Sequence, residues 1–329
     1  MMCNAPALAQ RIVAEKVLDA PLPGHGETAR RLRILAERCR DGIAVGRLVE
    51  AHLDADAILA EILGERVAPG DFWGVWAAEP PEPTVTAERQ GGRWELTGAK
   101  PWCSGVAACT HALVTARDGE LRRLFAVDLT QPGVWPERGG WAATGMRSTE
   151  TGTARFDHAP ARPVGAPGDY LNRPGFWHGG IGVAACWFGG AQKVADTLYT
   201  AAADRSDDIT LMHVGAVDAL LAQGQALLDH AAAEIDAAPT DEVMARRLAH
   251  QVRWSIEQVA TGVIDRVNRA LGPSPLVHDR EHAQAVADLG VYIRQSHADR
   301  DLVTLGRLAA QECAARRDGS DGAGEQSCR

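Results

Sequence analysis

No basic excess, no paired cysteines and no apolar run long enough to cross a bilayer are read in this 329-residue sequence. Each absence removes a class of function. Acidic residues number 43 against 34 basic ones, for a net charge of −9, whereas a protein that grips nucleic-acid phosphates needs a basic face. The seven cysteines (Cys3, Cys39, Cys103, Cys109, Cys186, Cys313 and Cys328) are isolated, odd in number and without a Cys-x-x-Cys pair. Reduced thiols are therefore expected, not a disulfide framework or a zinc site. No membrane span is expected. Met1 to Lys16 carries scattered charge without an apolar centre, so no signal peptide and a cytoplasmic location are expected. His278 and His282 stand four apart, a spacing that could ligate a metal on one helix face. With no third ligand in view they read as a surface pair, and no metal is expected.

What is present is the balance of a globular protein, 46% hydrophobic and 23% charged, with length for two or three domains. Residues 1–70 read as helices, since Leu32, Ile34, Leu35 and Leu48, then Leu53, Ile58, Leu59 and Leu63, recur at helical spacing. From Asp71 the texture changes. Phe72-Trp73-Gly74-Val75-Trp76 suits a pleated surface. Thr84–Arg89 and Arg93–Thr97 flank Gly91-Gly92, and His111–Ala116 and Leu121–Val127 flank Asp118-Gly119. Both pairs predict hairpins, because tight primed turns need positive φ. With Thr153–Phe156, six or so short strands predict a small barrel or sandwich over residues 71–165.

Pro160, Pro163, Pro167 and Pro174 read as a connector. Residues 166–315 then carry four apolar stripes: Gly175–Leu198, Leu211–Ile235, Met244–Leu271 and Val286–Leu302. They predict a C-terminal four-helix bundle. Residues 316–329 are polar and Gly/Ser-rich, and a disordered tail is expected. The fold class is multi-domain α+β, with N-terminal helices, a β-domain and a helical bundle.

Four local motifs in that order resemble the acyl-CoA dehydrogenase-like flavoproteins. Trp76-Ala77-Ala78-Glu79-Pro80 is similar to a strand ending in Thr-Glu-Pro, with Ala78 at the threonine position. Trp94-Glu95-Leu96-Thr97-Gly98-Ala99-Lys100-Pro101-Trp102-Cys103-Ser104 is similar to the family's flavin-facing segment. Gly145-Met146-Arg147-Ser148-Thr149 and Gly189-Gly190-Ala191-Gln192 resemble its middle-domain turn and first bundle helix. The resemblance implies FAD, with Trp102 giving an aromatic face and Ser104 a hydroxyl toward flavin N5, by which a protein tunes the ring. It implies contacts from Ala78, from Arg205 on the pyrophosphate, and from Gly272 toward a neighbouring subunit's adenine. Thr149 and His178 are expected near substrate, which would be an acyl-CoA-type or other small molecule. A homodimer or homotetramer is implied.

The family's proton-abstracting glutamate is missing. Its usual place falls on Gln295 or Ser296, and its alternative place near Gly179 or Gly180. None of these is a base, and an arginine for substrate recognition is not found there. His297 and Asp299 are the titratable groups left at that position. A histidine there is similar to flavin monooxygenases built on the same fold, so dehydrogenation and oxygenation both stay open. So does a non-catalytic flavin-binding or scaffold homologue.

Overall fold

The computed structural model describes residues 4–15, 18–79, 81–82, 84–204, 207–296 and 299–324. Three helices come first: α1 Ala5–Ala14, α2 Thr28–Asp41 and α3 Ile43–Leu63. The last is apolar around most of its circumference and is buried accordingly. One side of it meets α2 and the other the β-domain. It stops at Gly64, which adopts φ +69° and gives its N–H to Ala60 and Leu59.

Seven strands follow: β1 Trp73–Trp76, β2 Val85–Gln90, β3 Arg93–Cys103, β4 His111–Asp118, β5 Leu121–Asp128, β6 Val134–Glu137 and β7 Gly152–Val164. They pair in the order β1-β4-β2-β3-β7-β5, and β5 returns to β4. This closes a small barrel with no open edge in the ring. Leu96, Val114, Phe125 and Phe156 are buried in its core. Gly91 and Gly92 take φ +57° and +87° and join Gln90 to Arg93 in register, which is the primed turn that the sequence predicts. In the second hairpin the turn is Gly119-Glu120, since Asp118 still pairs with Leu121.

Two expectations about this region are corrected. Pro160 and Pro163 lie inside β7, not in a connector. There β7 changes partner, from β3 at Ala161 to β5 at Arg162, so a missing N–H costs little ladder. Strand β6 is four residues long, contains Pro136 and is largely exposed, and no periodic signal announces it.

The helical part is α4 Pro174–Asp204, α5 Asp208–Ala237, α6 Glu242–Leu271, α7 Ser274–His278, α8 Arg280–Tyr292 and α9 Asp299–Gly324. Asp207 and Asp241 cap α5 and α6 by accepting from Thr210 and Met244 N–H, at 3.0 and 2.9 Å. Close approach holds the bundle: a Cβ on Gly189 would stand 1.9 Å from the Ala36 carbonyl of α2, so α4 and α2 meet backbone to backbone. The last stripe is not one helix. A 3-10 turn, Ile293–Gln295, separates α8 from α9, and Leu302 is partly exposed on the second piece.

Helix also covers residues 316–324, where a disordered tail is expected; the Ala-rich run before them favours its continuation. His278 and His282 lie on different helices, and His282 is buried with Nδ1 2.9 Å from Thr197 Oγ1. By length and composition α5 could cross a membrane, with an 18-residue window of mean hydropathy 1.2. Its alanines between Asp218 and Asp229 raise the average without making a long apolar run. Here it packs on α4, α6 and α2.

Candidate functional site

The ends of β1 and β3 and the turn before β7 come together on one side of the barrel. The β3–β7 register shifts between Lys100 and Cys103, and such a bulge re-aims side chains. Cys103 turns inward and is buried. Trp102 turns out, with φ +62° and 67% of its surface exposed. A left-handed backbone at a bulky residue costs of order 1–3 kcal/mol and persists where the surroundings enforce it. Below it, Lys100 is buried with Nζ donating to Thr115 O and Oγ1 at 2.9 and 2.7 Å. Burial lowers its pKa to about 8.

Ser104 is fixed from three directions. Trp76 Nε1 donates to its carbonyl at 3.2 Å, and Gly105 N–H donates to Thr149 O at 2.8 Å. Thr151 Oγ1 donates to Ser104 Oγ at 3.3 Å, and Thr149 Oγ1 lies 2.7 Å from Thr151 Oγ1. Thr149 Oγ1 also donates to Met146 O at 2.7 Å, so its single proton is used there and the Thr151 proton is divided between Thr149 and Ser104. Thr149 is 1% exposed, so it supports Ser104 from behind.

The turn is anchored from the bundle. Met146 (φ +58°) gives its N–H to the buried Asp288 of α8 at 2.5 Å. Trp141 Nε1 donates to Gly145 O at 2.9 Å. Glu150, at φ +50°, is the third left-handed residue other than glycine in this small region.

The other expected residues are more scattered. Ala78 is exposed just past β1, and its neighbour Glu79 pairs with Arg122. Gly272 caps α6 at φ +66°, with nothing within 4 Å of the place a Cβ would take. His178, on α4, is 5% exposed, and among the described residues its Nε2 has no partner. Burial lowers its pKa to about 4, so it is neutral near pH 7. Asp299 is exposed at the first residue of α9, whereas Asp301 turns in to 3.7 Å from His250 Nδ1. Arg205 and His297 lie outside the described residues.

The two places without the family's carboxylate are neighbours. Arg253 of α6 donates through Nη1 to Gly180 O at 3.1 Å and through Nη2 to Gln295 O at 3.2 Å. Its guanidinium also covers the Trp187 ring at 4.8 Å. Just before α4, Arg173 is buried and paired with Glu61 of α3, which also accepts from Gly175 N–H at 3.1 Å. Sequence patterning hides these residues, because each is a polar position within an apolar helical stripe or connector and its partner is remote in the chain.

Two cavities lie elsewhere. One of about 430 Å³ is lined by His52, Asp56 and Arg66, and one of about 200 Å³ by Arg122, Tyr170 and Leu171. What the Trp102–Ser104 region offers is an exposed indole face, a hydroxyl donor and rigid backbone, a set suited to one edge and face of a planar heterocycle.

The family model for the acyl-CoA dehydrogenase middle domain matches residues 78–159. Among solved structures, glutaryl-CoA dehydrogenase from Mycobacterium smegmatis superposes with a TM-score of 0.78 at 17% identity, over 92% of this chain and 86% of that one. KijD3 in complex with dTDP gives 0.72 at 20% identity, over 94% of each chain. TdsC from Paenibacillus sp. A11-2 with FMN and indole gives 0.76 at 15% identity, over 94% and 96%. No curated protein matches in sequence.

Proposed function

Since the chain is acyl-CoA dehydrogenase-like in its fold and in its middle domain, we propose that it is a flavin-dependent oxidoreductase acting on an acyl-CoA-type or other small-molecule substrate. The observation that carries this reading is Trp102. It is a large aromatic held out to solvent by a strained backbone, next to a half-buried serine hydroxyl. Strain of this kind concentrates at ligand sites.

In this reading Trp102 covers the isoalloxazine ring and Ser104 donates to it, with Thr149 and Thr151 holding the serine in orientation. The bound flavin supplies two-electron transfer. FAD is preferred over FMN because two positions are left for the adenosine diphosphate half, Arg205 and the open backbone at Gly272. Gly272 would meet the FAD of a neighbouring subunit, so a homodimer or homotetramer belongs to the same reading. The exposed Ile209, Leu211 and Met212 of α5 and Leu276 and Val277 of α7 supply apolar surface for it.

Oxygenation, with His297 as the acid–base group, is a second reading. It is favoured by Arg253, which joins the backbone at Gly180 and Gln295 where a dehydrogenase of this fold would carry its base. Titration of the purified protein with FAD and with FMN, followed by visible absorption, tests the flavin. A protein that takes up neither overturns the reading.

A further inference from the structure

We propose that Asp54, delivered from α3, is the acid–base residue of this site. The proposal rests on the flavin reading above but names a group outside the bundle, where no carboxylate stands at Gly179, Gly180, Gln295 or Ser296. Asp54 Oδ1 lies 2.7 Å from the place that a Cβ on Gly179 would occupy. The carboxylate from α3 thus fills the space that the glycine leaves open on α4, and a side chain at residue 179 would displace it. Asp54, Gly179, Gly180 and Arg253 are all half-buried, so each keeps some surface open to a small molecule. The carboxylate accepts no hydrogen bond from the described residues, and its oxygens are not among the fully buried atoms left without a partner, so they keep access to solvent.

The helix that carries Asp54 also reaches the Trp102–Ser104 region. Leu48 lies 3.1 Å from the place of a Cβ on Gly105, and Asp54 follows six residues later, about 9 Å along the axis and about 120° around it, toward α4. The groups around Asp54 are Arg31 from α2, Arg47, Glu50 and Glu61 from α3, and Tyr170 and Arg173 from the connector to α4. Most are already engaged. Arg31 donates to Pro21 O and Leu53 O, Arg47 pairs with Glu50, and Arg173 with Glu61. Asp54 is left as the acceptor, and burial raises its pKa in spite of the three arginines. A carboxyl that exchanges its proton closer to neutral pH suits general acid–base work.

Two readouts on wild type, Asp54→Asn and Gly179→Ala test the role without a known substrate. The first is stability. Between the ordinary carboxylate pKa and the raised one, the native state binds more protons than the unfolded chain, so stability falls as pH rises through that window. Asp54→Asn removes this cost and should raise Tm at pH 7 by about 2 °C, with the gap closing near pH 4. An aspartate that serves as a structural partner of the arginines would give the opposite sign, and a lower Tm in Asp54→Asn overturns the proposal.

The second readout is the midpoint potential of bound flavin against pH. A proton-exchanging group linked to the flavin bends that line at its pKa. The bend should be present in wild type, shifted in Gly179→Ala and absent in Asp54→Asn. Flavin that binds and shows the same bend in Asp54→Asn overturns the role of Asp54 alone. A chain that takes up no flavin overturns the reading on which it rests, and the proposal with it.

Discussion

Arg253 donates to the carbonyl oxygen of Gly180 at 3.1 Å, and its other arm reaches Gln295 O at 3.2 Å. One guanidinium therefore ties the first long helix of the bundle to the turn between α8 and α9. Charged hydrogen bonds contribute about 1.5–3 kcal/mol each, and Arg253 also packs on Trp187. Arg253→Ala should lower unfolding free energy by about 2–4 kcal/mol in urea denaturation, and Arg253→Lys by less. A loss under 1 kcal/mol would mean that the tie does not hold this turn.

Gly189 and Gly180 predict opposite tolerance to alanine. A Cβ on Gly189 meets backbone at 1.9 Å, whereas on Gly180 it meets only Arg253 Cδ at 3.5 Å. Gly189→Ala should destabilise by about 2–3 kcal/mol or more through forced separation of α2 and α4. Gly180→Ala should be close to neutral or gain slightly from helix propensity. Thermal melts of the two variants check the contrast.

The pH profile of stability follows from His178 and His52. Burial lowers both pKa values to about 4, below the ordinary value of about 6.5. Their native forms stay neutral while the unfolded chain takes up protons. Stability is thus complete above about pH 6.5 and is lost as pH falls toward 4, by at most about 3 kcal/mol for His178. His178→Asn should flatten that decline in denaturant midpoints measured from pH 7 to 4.5. An unchanged slope would place the histidine in contact with water.

Much of the fold is legible because short-range chemistry specifies it. Gly91-Gly92 gives a primed turn without strain, and the stripe from Met244 to Leu271 becomes α6 with both ends close to the residues that suggest them. Trp102 and Ser104 are legible only through the motif around them; nothing in the pattern of residues announces that the tryptophan is turned outward by a bulge. Asp54, Arg173 and Arg253 are not legible. Each is one polar residue in a helix or connector, and its meaning comes from Gly179, Glu61 and Gly180, which tertiary packing alone brings near.

The hydroxyl chain behind Ser104 makes a graded prediction. Ser104→Ala removes the hydroxyl proposed to reach a bound ring, and Thr149→Val removes a hydroxyl one step further back, behind Thr151. Loss of one hydrogen bond costs about 0.5–1.5 kcal/mol, so FAD affinity should fall roughly 2- to 13-fold in Ser104→Ala and less in Thr149→Val, with the flavin absorption shifted in both. Isothermal titration with FAD checks the order. A Thr149→Val effect larger than that of Ser104→Ala would contradict the placing of Ser104 at the ring.

Light scattering of the purified protein at micromolar concentration tests the assembly. A dimer or tetramer is expected, and polar substitution of Leu211 and Met212, both exposed on α5, should shift it toward monomer. Monomer alone in the unmodified protein would remove the neighbouring subunit from the proposed FAD site.

The central claim is that the exposed Trp102 is one wall of a flavin site. Visible absorption of the purified protein after addition of FAD, compared with Trp102→Ala, tests it most directly. Flavin bands should co-purify with the protein or be retained on desalting, with quenched flavin fluorescence in the wild type and weaker retention in Trp102→Ala. A colourless protein that also fails to retain added FAD or FMN would contradict it.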